Sequence, residues 1–287
     1  MSEKHVDDVS GVETTGHEWD GIRELNNPLP RWWLWTFYLC IIWAIGYAIA
    51  YPAIPLINGA TPGLLGYSSR ADVVADLADA KAAQGTLLDK IASTPIEEIE
   101  GNQELLQFAI AGGSSAFKVN CAQCHGSGAA GSMGYPNLND DDWLWGGTVS
   151  DIYLTIAHGI RYDADQDTRT SMMPAFGDIL EPQQINEVAA YVISLSSTPS
   201  DEALVEPGKV VFAENCAACH GENAEGIQDF GAPRLSDGIW LKVSTEAEIA
   251  SQIRNPKHGV MPAWLPRLGE PTIKQLAVYV HTLGGGQ

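Results

Sequence analysis

The longest break in the ordinary alternation of apolar and polar residues is the run WWLWTFYLCIIWAIGYAIAY, residues 32–51, twenty residues without a charge. At ~1.5 Å of rise per residue, a helix of this length crosses the ~30 Å hydrocarbon core of a bilayer. Arg31 and the tryptophans stand at one end, with Tyr47 and Tyr51 toward the other, as in an interfacial belt. Pro52 and Pro55 end the helix. The pattern predicts a transmembrane anchor over residues 32–57. Ala48-Ile49-Ala50 has the form of a signal-peptide cleavage site, but the apolar run is too long for one. The residues before Arg31 are also acidic, seven Asp/Glu against two Lys/Arg, so an uncleaved signal-anchor is expected behind an acidic tail, residues 1–31. Cys40, inside the span, is a spare apolar thiol.

Beyond the anchor the pattern changes to helical periodicity. Residues 58–63 are turn-rich, and the alanines at 71, 75, 78 and 80 suit a helix over 70–91. A second helix is expected over 95–110, so residues 58–112 read as a helical spacer whose leucine and isoleucine spacing argues for packing. Then the chain repeats itself. Gly113-x-x-x-Phe117-x-x-x-Cys121 returns as Gly208-x-x-x-Phe212-x-x-x-Cys216, which puts glycine, ring and thiol on one helix face. The glycine admits a second helix at close range. Each half closes on a similar helix: Ile185, Val188, Ala189, Tyr191 and Val192 match Ile273, Leu276, Ala277, Tyr279 and Val280. A period near a hundred residues means two tandem domains, 113–200 and 201–287, in a mainly α chain.

The chemistry lies in Cys121-x-x-Cys124-His125 and Cys216-x-x-Cys219-His220. C-x-x-C-H is the attachment sequence for haem c: two cysteines form thioethers to the vinyl groups, and the histidine stands beneath the iron. A single copy could be a redox dithiol or half a zinc site. Two copies in matching surroundings indicate two haems. Pro136 and Pro233 follow at similar distances, as do Trp143 and Trp240, then Met173-Pro174-Ala175-Phe176 and Met261-Pro262-Ala263-Trp264. In this order the motifs make each half resemble a class I cytochrome c, with an N-terminal helix, the haem motif, a Met-Pro loop, and a C-terminal helix packed across the first. That resemblance implies His/Met-ligated irons, with His125 and His220 proximal and Met173 and Met261 distal. Met172 is the rival to Met173, but lacks the Met-Pro-Ala-aromatic context. Sequence leaves open whether each methionine serves its own domain's iron or the other's.

Other residues have simpler readings beside the functional one. Pro136 and Pro233 either offer a carbonyl to the proximal imidazole or only shape a turn. Trp143 and Trp240 either bond a propionate or pack. His158 and His258 either ligate a bis-histidine haem or, as expected with Met-Pro supplying the ligand, lie near a haem edge or at the surface. Arg161 either neutralises a propionate or is solvated charge. Phe117, Phe212, Tyr191 and Tyr279 form the seam between terminal helices. The charge is −20 overall and −11 over residues 113–287, so nothing points to nucleic acid. An acidic face would attract a basic donor cytochrome. Asp140, Asp141 and Asp142, and Asp163, Asp165 and Asp167, lack the ligand pattern of a calcium loop and read as solvated charge. There is no nucleophile triad or phosphate loop, so the expected activity is electron transfer without a catalytic centre of the chain's own.

Asn26-Asn27-Pro28-Leu29-Pro30-Arg31-Trp32-Trp33, ahead of the span, extends the likeness to the whole chain. The sequence resembles the dihaem subunit, subunit III, of cbb3-type cytochrome c oxidases. This implies two covalent haem c groups and electron flow from donor cytochromes c to a monohaem subunit. From there electrons would pass to the haem–copper oxygen-reducing subunit. It also implies a bacterial inner-membrane location with the haem domains periplasmic. A free-standing anchored dihaem carrier, or a peroxidase-like enzyme with one open iron, are the alternatives.

Overall fold

The computed structural model describes residues 5–286. The chain divides near residue 82 into two compact units. In the first, strands β1 (Thr14–Trp19) and β2 (Ile22–Leu25) form an antiparallel hairpin pairing Trp19 with Ile22 and Glu18 with Arg23. Asp20 and Gly21 both have positive φ, 50° and 83°, the requirement of the tight turn that matches strand twist. The Arg23 Nε donates to Glu18 at 2.6 Å. The sequence reading expected only an acidic tail over 1–31, so this hairpin is an addition; residues 1–4 lie outside the described range.

Helix α1 (Arg31–Ala50) is long and apolar enough to cross a membrane, and none of its residues is buried. The helix stops at Ala50, before the far end of the expected anchor, 32–57. Pro52 forces Tyr51 into an extended conformation, and the chain then turns back as strands β3 (Pro55–Leu56) and β4 (Gly59–Ala60). Helix α2 (Ser69–Ser93) follows, as the alanine-rich pattern predicts.

The second unit contains the end of α2, then α3 (Ile96–Ile99) and α4 (Gln103–Asn120). The expected continuous helix over 95–110 is therefore broken. Asn102 restarts it by accepting from the backbone N–H of Glu104 and Leu105 at 3.1 and 3.2 Å. Because α4 runs unbroken through Gly113, the expected boundary between residues 112 and 113 falls inside a helix. The remaining helices are α5 (Ala122–His125), α6 (Val149–His158), α7 (Pro182–Ser194), α8 (Val205–Asn215), α9 (Ala217–His220), α10 (Glu246–Arg254), α11 (Leu265–Leu268) and α12 (Glu270–His281).

Their packing departs from the expectation that each repeat closes on its own last helix. Helix α4 of the first repeat packs against α12 of the second, and α7 of the first packs against α8 of the second. The two glycines mark the crossings. A Cβ on Gly113 would sit 2.2 Å from the Gln275 carbonyl oxygen, and one on Gly208 would sit 2.0 Å from that of Glu187. The aromatic seam follows the same exchange, with Phe117 against Tyr279 at 5.6 Å and Tyr191 against Phe212 at 5.3 Å between centroids.

Two apolar cores result. One joins Ile91, Ile99, Phe117, Ile152 and Ile156 to Ile273, Leu276 and Val280. The other joins Phe176, Ile185 and Val188 to Val211, Phe212, Ile249 and Ile253. Buried Lys274 on α12 ties the spacer into the first core. Its Nζ donates to the carbonyls of Ile91, Ala92 and Thr94 at 3.3, 2.8 and 2.9 Å, capping the end of α2.

Candidate haem sites

The two C-x-x-C-H motifs occupy equivalent places. Cys121 and Cys216 end α4 and α8, and the short helices α5 and α9 carry the remaining residues. One helical turn separates the paired cysteines. Cys121 and Cys216 are partly buried, while Cys124 and Cys219 are exposed. Burial first, then the neighbouring cysteine, pushes the Cys121 and Cys216 thiols up to about 11. These thiol sulfurs stand where thioethers would be in an attached haem.

The Nδ1 of His125 lies 3.1 Å from the Pro136 carbonyl oxygen, and that of His220 lies 3.0 Å from the Pro233 carbonyl oxygen. A carbonyl can only accept, so each Nδ1 carries the proton and each Nε2 keeps its lone pair for a metal. Burial is the larger influence on both imidazoles and holds their pKa below the ordinary value, with the proline contact opposing it. Both rings are thereby kept neutral, the form that ligates iron. Of the two sequence readings of Pro136 and Pro233, the structure bears out the carbonyl contact.

His125 opens into a narrow apolar cavity of about 100 Å³, lined by Phe117, Leu138, Trp145, Ile152, Ile156 and, from the second repeat, Met261. Met261 is held there by backbone pairing with the first repeat. The Ile160 N–H donates to the Met261 carbonyl at 2.9 Å, and the Met261 N–H to the Ile160 carbonyl at 3.0 Å. Gly159, at φ +71°, makes room, because a Cβ there would sit 2.2 Å from the Met261 carbonyl oxygen. Met173 packs instead on the second core, the one holding Phe212 and flanked by Cys216. Met172 is 69% exposed. Met261 thus shares one cavity with His125, and Met173 shares a core with Cys216. At the first site the donor set, two thiols, an imidazole and the Met261 thioether beside an apolar space, fits haem c; at the second, Cys216 and Met173 flank one apolar core.

The accessory candidates separate. The Trp143 indole N–H donates to the Gly285 carbonyl, and Trp240 packs on the second core. His158 Nδ1 meets the Asp165 carboxylate at 3.2 Å, and Asp165 also accepts from the Asp167 N–H. His258 is hydrogen-bonded to the Met173 backbone. Pro136 and Pro233 line one cleft, and the Gly134 N–H donates to the Leu241 carbonyl at 2.7 Å. The loops beneath the two imidazoles thus adjoin. The backbone of Gly159 and Ile160, which seats Met261, went unread in the sequence; the His-Gly pair ending α6 was its one visible mark.

Comparison with known proteins matches three family models along the chain. Residues 11–58 match the N-terminal domain of cytochrome oxidase-cbb3, FixP. Residues 110–196 match cytochrome c. Residues 203–280 match cytochrome c oxidase, cbb3-type, subunit III. The cbb3-type cytochrome c oxidase subunit FixP of Rhizobium meliloti (strain 1021) is 64% identical, covering 99% of this chain and 98% of the relative. The chain belongs to the FixP/CcoP family of cbb3-type oxidase subunits. Other FixP/CcoP proteins agree. The subunit CcoP of Azospirillum brasilense is 55% identical with full coverage of both chains. That of Cereibacter sphaeroides is 52% identical over 96% of this chain and 95% of the relative. As a FixP/CcoP subunit, the protein carries covalently bound haem c in two cytochrome c domains and serves as a dihaem electron-transfer subunit of the oxidase complex.

Proposed function

We propose that the two haem sites are crossed: His125 and Met261 hold the iron of the haem attached at Cys121 and Cys124, and His220 and Met173 hold that of the haem attached at Cys216 and Cys219. The observation that carries this is Met261 of the second repeat lining the His125 cavity. When bound, haem c supplies reversible one-electron exchange at iron, and a thioether ligand favours the reduced state. The chain's part is to hold neutral imidazoles by the proline carbonyls, to bring both methionines to their places, and to exclude water with the apolar cores. In this reading α1 anchors the chain in the bacterial cytoplasmic membrane. The haem domains lie on the periplasmic side, where cytochrome c maturation occurs. Electrons arrive from donor cytochromes c and leave to the monohaem subunit, and thence to the haem–copper subunit. The net charge of −11 over residues 113–287 supports attraction of a basic donor.

The test is Met261→Leu and Met173→Leu in the assembled oxidase. Each is expected to lower one haem potential and slow oxygen uptake. Unchanged potentials and turnover in both variants would overturn the ligand assignment.

A further inference from the structure

The two methionine loops meet at one side chain. Arg161 follows the Ile160 that pairs with Met261, and it is one of few non-glycine residues with positive φ, +52°. Its own N–H donates to the Arg169 carbonyl at 2.8 Å, which fixes this left-handed turn and aims the side chain inward. The Nε then donates to the Gly259 carbonyl at 2.7 Å, and a terminal guanidinium nitrogen donates to the Ser171 carbonyl at 2.8 Å. Gly259 stands two residues before Met261, and Ser171 two before Met173. The guanidinium carbon also lies 5.9 Å from the Trp145 ring centre, and Trp145 lines the His125 cavity. A planar, permanently charged group with divergent donors can satisfy two carbonyls on different loops at once. A lysine ammonium on a flexible stem does not reproduce that geometry.

We infer that Arg161 is a positioning residue that clamps both methionine loops together, so that the sixth ligands of the two haems are held or lost in common. This rests on the crossed His/Met reading above. Arg161 touches neither iron; it acts through the loops that carry Met173 and Met261. Arg169 provides the natural contrast. Its guanidinium faces the same Trp145 ring at 5.8 Å but bonds the Trp145 carbonyl and Asp151, and its side chain reaches neither methionine loop.

The experiment counts the ferrous c-type haems that bind carbon monoxide in the full-length, haem-loaded chain in detergent, because carbon monoxide takes a sixth position only when methionine has left it. The far-red absorption of methionine-ligated ferric haem is followed alongside. The parent chain is expected to bind none, and binding in the parent would overturn the methionine reading itself. Arg161→Met is expected to bind carbon monoxide at both haems and to lose the far-red band, with helix content retained by circular dichroism. Arg161→Lys, which keeps charge and folding but reaches one carbonyl, breaks the same clamp and is expected to open both haems to a smaller and equal extent. Arg169→Gln is expected to open neither. A parent and both Arg161 variants that all bind none would overturn the clamp while leaving methionine ligation standing. Opening of a single haem in Arg161→Met would overturn the coupling, and opening in Arg169→Gln would assign the effect to charge on Trp145.

Discussion

Gly113 and Gly208 are the residues on which the helix crossings depend, because each faces a backbone carbonyl that cannot move aside. Gly113→Ala forces α4 and α12 apart and is expected to cost about 1–3 kcal/mol by overpacking, read as a lowered denaturation midpoint. A neutral outcome would contradict the close approach. Asp142 gives a pH-dependent counterpart. Burial, then the carboxylates of Asp237 and Asp140, pushes its pKa up to about 6, with Arg234 opposing. A carboxyl raised on folding favours the native state while protonated. That contribution is full below the unfolded value of 3.8 and is lost as the pH rises through about 6. Asp142→Asn is therefore expected to raise the thermal midpoint above about pH 6 and to converge with the parent near pH 4; parallel curves would contradict it. At this scale the sequence was highly legible. The paired cysteines, His125 and His220 stood in the repeated motifs, and the same motifs set Met173, which packs on the second core, apart from exposed Met172. The role of Asp142 was not readable, since it depends on Asp237 from the other repeat.

Elements were legible where local chemistry decides them and illegible where two copies compete. Helix α1 follows from its unbroken apolar run, α2 from its alanines, and α7 and α12 from their apolar periodicity. The hairpin of β1 and β2 was visible in principle as Asp20-Gly21 between alternating residues, a signal that the adjacent acidic tail obscured. The exchange of terminal helices was not visible in the faces, because Tyr191 and Tyr279 match Phe117 equally well. The deciding factor is connection length. Only residues 195–204 separate α7 from α8, so these two pack as sequence neighbours, and α4 is left for α12. Lys274 then joins the spacer to the exchanged helix. Lys274→Met leaves the carbonyls of Ile91, Ala92 and Thr94 without that donor, and is expected to cost about 1–3 kcal/mol and to speed proteolysis between α2 and α4. Unchanged proteolysis would show that the spacer is held by its apolar contacts alone.

Over the whole molecule, the tandem repeats behave as one interleaved body. Each core draws on both repeats, so neither cytochrome c domain, cut at residue 200, would retain a full set of packing partners. The acidic surface belongs to the same scale. Oxidation of a basic donor cytochrome is expected to slow as ionic strength rises, since exposed charges are screened beyond ~10 Å at 0.1 M salt; a salt-independent rate would remove steering from the account. The central claim is the crossing of ligands, and one measurement addresses it directly. In a full-length chain carrying Cys216→Ser and Cys219→Ser, only the first haem is attached. Carbon monoxide binding to that ferrous haem is then compared after Met261→Leu and after Met173→Leu. Binding opened by Met261→Leu and not by Met173→Leu is the expected result, with the opposite pattern in a chain carrying Cys121→Ser and Cys124→Ser. Binding opened by Met173→Leu alone at the first haem would mean that each repeat ligates its own iron, and would contradict the account.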